Sequence, residues 1–94
     1  MEIEFTSQVF KEGRLYVAHA PELDISSCGG NPAKARTNLL EAVRLFLEEA
    51  EKLGTLEQIL QEAGFTRRKR KLQGPKLVSL KRVSLPLLTA HAKN

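Results

Sequence analysis

Apolar and polar positions alternate along the first ten residues. Ile3, Phe5 and Val9 fall on one side of a period-two pattern, and Glu2, Glu4 and Gln8 on the other. That is the pattern of a half-buried strand over residues 2–10. Lys11, Glu12, Gly13 and Arg14 supply the glycine and charges of a hairpin connection. Residues 15–20 (LYVAHA) then have the β-favouring character of a second strand, antiparallel to the first. Pro21 removes a backbone donor and fixes φ, which breaks the strand, and residues 24–28 resume as a third until Gly29 and Gly30.

After the glycines the period changes from two to about 3.6. Asn31 and Pro32 form a helix start, since the Asn side chain accepts from the first unpaired N–H groups and Pro is tolerated at the first helical position. Ala35, Leu39, Ala42, Val43, Phe46, Leu47, Ala50 and Leu53 make one apolar stripe, opposite Lys34, Arg44, Glu48, Glu51 and Lys52. Gly54 fits a C-terminal cap. Thr55 with Gln58 has the spacing of a capping box, opening a short second helix that closes at Gly64. Residues 66–75 turn basic and end in Gly74-Pro75, which predicts an exposed loop. In residues 76–87, Val78 and Leu80 share one parity and Val83, Leu85 and Leu87 the other, so a last strand with a bulge near Lys81 and Arg82 is expected, with Pro86 at an edge. Residues 89–94 read as a frayed tail.

One helix stripe and one sheet face need a common partner. The fold class that follows is α+β: a small antiparallel sheet in the order β-β-β-α-α-β, with the long helix packed on one face. If Phe10 or Leu15 points away from the helix, a second copy or another protein should cover it, and a homodimer or higher homo-oligomer is expected.

Ninety-four residues suffice for one domain over 1–94, not two. There is no apolar run of membrane-spanning length and no secretory signal pattern at the start, so a cytoplasmic protein is expected. Cys28 is the single cysteine, which excludes an internal disulfide and reads as a small packed hydrophobe. The net charge of +4 hides a division. Residues 1–65 hold six Lys/Arg against all eleven acids, a balance of −5, and residues 66–94 hold nine Lys/Arg and no acid, a balance of +9. The densest part, Arg67, Arg68, Lys69, Arg70 and Lys71, is a candidate nucleic-acid-binding segment; the alternative is a solvated connector, or one that neutralises the chain's own acids.

Candidate chemistry is sparse. His19 and His91 are far apart, and no HExxH, CxxC, phosphate-binding glycine loop or GxSxG pattern occurs. Glu22 and Asp24 near His19 could in principle meet a cation. A turn in which Asp24 satisfies backbone N–H groups explains them more simply. Ser26 and Ser27 have no base at a telling spacing, and Gly29 and Gly30 are assigned to the turn through their access to positive φ. No catalytic residue, metal or cofactor is expected.

Tyr16-Val17-Ala18, the turn Pro21-Glu22-Leu23-Asp24, the short strand ending at Gly29 and the helix opening Asn31-Pro32 together resemble the core of the HicB-like antitoxins, small bacterial proteins often paired with an RNA-cleaving toxin. The resemblance covers roughly residues 1–65. It implies a partial ribonuclease H-like fold without that fold's catalytic carboxylates, with Tyr16, Pro21, Glu22, Leu23, Asp24 and Gly29 as structural motif residues. It also implies a non-catalytic function, neutralising or binding a small toxin through the sheet and helix surface. In complete antitoxins an appended helix-turn-helix or ribbon-helix-helix binds operator DNA. Only a few residues follow Leu87, too few for either module, so that route is not expected here. Two alternatives stand beside this reading: a nucleic-acid binder using residues 67–71, and an orphan interaction module with no toxin.

Overall fold

The computed structural model describes residues 1–88, so the frayed tail expected over 89–94 lies outside the described residues. The fold is α+β, with two three-stranded sheets, one long helix and one short one. In chain order the elements are β1 (Glu2–Glu4), β2 (Gln8–Glu12), β3 (Leu15–Ala20), β4 (Ile25–Gly29), α1 (Pro32–Leu53), α2 (Leu56–Glu62), β5 (Thr66–Arg68) and β6 (Lys71–Gln73).

The predicted meander is present as the antiparallel sheet β2-β3-β4. Its two-residue turn uses Gly13 at φ +63°, a conformation that side chains resist. The first strand does not run unbroken over residues 2–10. It stops at Glu4 and restarts at Gln8, because β1 pairs elsewhere, parallel to β6, in the second sheet β1-β6-β5.

The helix forms as its sequence dictates. Asn31 is extended, and its Oδ1 accepts from the Lys34 N–H at 2.8 Å. At the other end Gly54 sits at φ +76°. Its N–H donates to the Glu51 carbonyl and the Thr55 N–H to the Ala50 carbonyl, the paired bonds of a Schellman motif. The capping box expected at Thr55 is absent. Its backbone N–H, which Gln58 would have to accept from, already closes α1, the hydroxyl donates back to Ala50, and Gln58 instead donates to Glu62. A second Schellman motif ends α2 at Gly64 (φ +84°), with Phe65 and Leu60 buried together across it.

The core lies between α1 and the β2-β3-β4 sheet, where Ala18 and Ala20 of β3 meet Ala35, Leu39 and Val43 of α1. Most of these are small, so helix and sheet approach closely. A Cβ placed on Gly29 would lie 2.7 Å from the Ala35 nitrogen and 2.9 Å from the Lys34 carbonyl carbon. Gly29 is therefore required by helix packing and not by positive φ, which corrects the turn assignment. Only part of the predicted stripe is used. Ala35, Leu39, Val43 and Ala50 are buried and Ala42 and Leu47 partly so, whereas Phe46 and Leu53 remain exposed beside the sheet.

Two expectations for the C-terminal third are overturned. The basic stretch is not a loop but the hairpin β5-β6, held because β6 also pairs with β1 through Glu2↔Lys71, Ile3↔Leu72 and Glu4↔Gln73. The strand expected over 76–87 is not formed. That stretch has no regular structure, and every residue from 75 to 88 is exposed.

Candidate binding surfaces

The five residues of the basic run are brought together, but not equivalently. Arg67 and Arg68 lie on β5, Lys69 (φ +56°) and Arg70 form the turn, and Lys71 begins β6. Alternation across the hairpin puts Arg67 with Leu72 and Ile3 on one face, and Arg68 with Lys71, Glu2, Glu4 and Gln73 on the other. Lys71 Nζ donates to Glu4 Oε2 at 3.0 Å, and Gln73 Nε2 to the other oxygen of the same carboxylate at 3.1 Å. The hydrogen bonds from Lys71 and then Gln73 hold the Glu4 carboxyl below its ordinary value, and the bond to Glu4 raises the Lys71 ammonium above its own. Lys71 is thus committed within the molecule. Among the described residues Arg67, Arg68, Lys69 and Arg70 make no ion pair. Arg68, Lys69, Arg70, Met1 and Glu2 border an open concavity of about 880 Å³.

The motif residues of the third turn act structurally. Both carboxylate oxygens of Glu22 accept from the Thr6 N–H, at 3.0 and 2.9 Å, and one also accepts from the Thr6 hydroxyl at 2.7 Å. This pins the break between β1 and β2 to the turn after β3. Glu22, and not Asp24, does the backbone work expected of this turn. Asp24 stands at φ +54° and its Oδ1 meets His19 Nε2 at 2.9 Å. Among the described residues no group of three or more His, Cys, Asp or Glu could hold a metal ion. Leu23 and Tyr16 each pack against the core, the Tyr16 ring centroid lies 5.9 Å from the Lys11 ammonium, and Pro21 is exposed at the start of the turn.

The β2-β3-β4 sheet is covered on one side. Register puts Val9, Ala18 and Ser27 toward α1, and Phe10, Val17 and Cys28 on the opposite face, with His19 and Ser26 beyond them. Phe10 is 52% exposed and Leu15 50%. Fully burying such a side chain is worth about 1.5–3 kcal/mol, so roughly half of that stays unclaimed at each. Cys28, expected as a packed hydrophobe, is exposed on this face. The flank of α1 adds Leu45, Phe46 and Leu53 next to Glu49. On its other flank lies an apolar groove of about 370 Å³ between β1 and the helices, lined by Ile3, Phe5, Leu40, Leu47 and Leu56 and edged by Arg44, Glu48 and Glu51. Arg44 is itself held by Glu41 and Glu48.

Comparison with known proteins gives no match to a family model, to a curated protein or to a solved structure. No helix of the described residues is long and apolar enough to cross a membrane. The contacts that the sequence does not signal are the long-range ones. Glu4 and Lys71 are 67 residues apart and Thr6 and Glu22 are 16 apart, with no local pattern joining either pair.

Proposed function

We infer that the chain is a non-catalytic binding protein of the HicB-like antitoxin type, which neutralises a small RNA-cleaving toxin by covering it. The observation that carries this reading is the apolar surface left open on the folded part of the chain: Phe10 and Leu15 on the outer sheet face, and Leu45, Phe46 and Leu53 on α1. Exposed apolar side chains clustered on the surface of a small domain are a docking feature. The balance of −5 over residues 1–65 suits a basic partner, through steering of the encounter more than through affinity. The decisive experiment is expression of the small reading frame adjoining this one. Its product should arrest growth, co-expression of this chain should restore it, and Phe10→Ser with Leu15→Ser should abolish the rescue. A neighbouring product that is harmless and does not bind the purified chain sinks the reading.

A second reading rests on the hairpin. Arg67 to Arg70, four cations that make no ion pair among the described residues, project from a β-ribbon fixed to the body by β1. Phosphate contacts by these groups would make RNA or DNA binding fall steeply with salt, with a logarithmic slope of about 0.7–0.9 per phosphate neutralised. Changing all four to Ser should remove both binding and slope; unchanged binding excludes the hairpin as the site.

A further inference from the structure

The segment 76–88 (KLVSLKRVSLPLL) carries seven large apolar residues, and all are exposed, from Leu77 at 61% to Leu88 at 94%. The chain as a whole exposes 7881 Å². A compact monomer of 10.5 kDa exposes about 5400 Å², so roughly 2400 Å² is in excess. The radius of gyration, 16.7 Å against about 12 Å for a compact chain of this length, says the same. A standard interface needs about 800 Å² per partner, well within that excess.

The root of the segment is clamped. The Pro75 ring packs over Gly64, 3.1 Å from where a Cβ there would stand, and a Cβ on Gly74 would meet Glu22 at 3.2 Å and Phe65 at 3.4 Å. The fixed φ of Pro75 stiffens this root, and beyond it every residue to Leu88 is exposed. Thirteen extended residues reach about 43 Å, enough to cross a neighbouring molecule. The arm carries Lys76, Lys81 and Arg82 and no acid, and the groove between β1 and α1 is apolar with Arg44, Glu48 and Glu51 at its edge, where Arg44 is held by Glu41 and Glu48 so that the rim is acidic on balance. Apolar side chains with basic punctuation thus face an apolar floor with acidic punctuation.

We propose that residues 76–88 are an exchange arm, which leaves its own molecule and seats in the groove lined by Ile3, Phe5, Leu40 and Leu47 of a second copy, while that copy's arm returns the contact. The two-fold arrangement satisfies both arms and both grooves and closes as a dimer.

The test uses the full chain and two variants at exposed positions, which should keep the native circular dichroism. An arm variant carries Leu80→Ser, Val83→Ser and Leu85→Ser; a groove variant carries Leu40→Lys. Light scattering and analytical ultracentrifugation should find the unaltered chain dimeric, and each variant alone with a dissociation constant raised about tenfold or more. Mixing the two variants should recover dimers, because one good arm then meets one good groove. A monomeric full chain, which includes an arm folded back on its own groove, overturns the proposal. So does a dimer that survives both sets of substitutions, or a mixture no more associated than its separate components.

Discussion

Replacing Gly29 by alanine tests whether the close approach of α1 to the sheet governs this core. The added Cβ would fall 2.7 Å from the Ala35 nitrogen and 2.9 Å from the Lys34 carbonyl carbon, both backbone atoms of the first turn of α1. Neither can rotate aside, so the helix must move outward, loosening the contacts that Ala35 and Leu39 make with Ala18 and Ala20. Overpacking of this kind costs about 1–3 kcal/mol. Removing a glycine from the unfolded chain gives back about 0.4–1 kcal/mol, leaving a net loss near 1–2 kcal/mol. For a domain of this size that lowers the melting temperature by roughly 5–15 °C. Gly30 is the control. It has nothing within 4 Å of its Cβ position and no positive φ, so Gly30→Ala should leave stability unchanged or slightly raised. The assay is thermal and urea unfolding followed by circular dichroism. If Gly29→Ala melts within about 2 °C of the parent, or Gly30→Ala falls as far, close packing is not what the glycine serves.

Three further outcomes are expected. Leu39 is fully buried, so Leu39→Ala should cost about 2–5 kcal/mol in urea unfolding, and a loss under about 1 kcal/mol would place the core elsewhere. Glu22→Ala strips the partners of the Thr6 N–H and hydroxyl at a half-buried site, for a loss of about 1–2 kcal/mol, and Asp24→Asn, which tolerates the same positive φ at an exposed position of the turn, should cost clearly less. The Glu4–Lys71 tie gives a two-sided pH response. Glu4, lowered from 4.5, contributes above that pH and its contribution is lost as pH falls through the lowered value. Lys71, raised from 10.5, contributes below that pH and is lost as pH rises through the raised value. Methyl signals of Ile3 and Leu72 followed by NMR should report a plateau between the two limbs that Glu4→Gln removes on the acid side. An acid limb identical in the Glu4→Gln protein refutes the coupling.

The parts of the fold legible in the sequence are those decided within one or two turns of chain. Asn31 and Gly54 bound α1 through bonds to backbone groups three or four residues away and Pro32 by its own fixed φ, and the limits of β3 match the run Leu15–Ala20 between the Gly13 turn and Pro21. Elements decided at long range are not legible in this way. Residues 66–73 look like a loop by composition, and become strands only because β1 offers an open edge and Glu4 offsets Lys71. Residues 76–87 have strand-like apolar content, yet no strand among the described residues pairs with them. The stripe of α1 extends in the sequence to Phe46 and Leu53, which stay exposed, because amphipathicity tells which residues could be buried, not how wide the sheet beneath is. For the candidate surfaces, the run 67–71 is visible as charge. The separation of Lys71 from the other four needs the partner strand.

The parallel pairing of β1 with β6 joins residues 2–4 to 71–73, whereas β2, β3, β4 and α1 are neighbours along the chain. During synthesis the meander and helix can therefore assemble while the amino-terminal strand still waits for its mate, and docking of the β5-β6 hairpin is the expected last step of folding. Pulse-labelled hydrogen exchange should find the amides of β3 and α1 protected before those of β1 and β6. Simultaneous protection would mean that the hairpin docks as the core forms. Until docking occurs, Ile3 and the edge of β1 are open to any passing strand, so a variant that blocks or delays the hairpin should lose material to aggregation, not to a stable truncated fold.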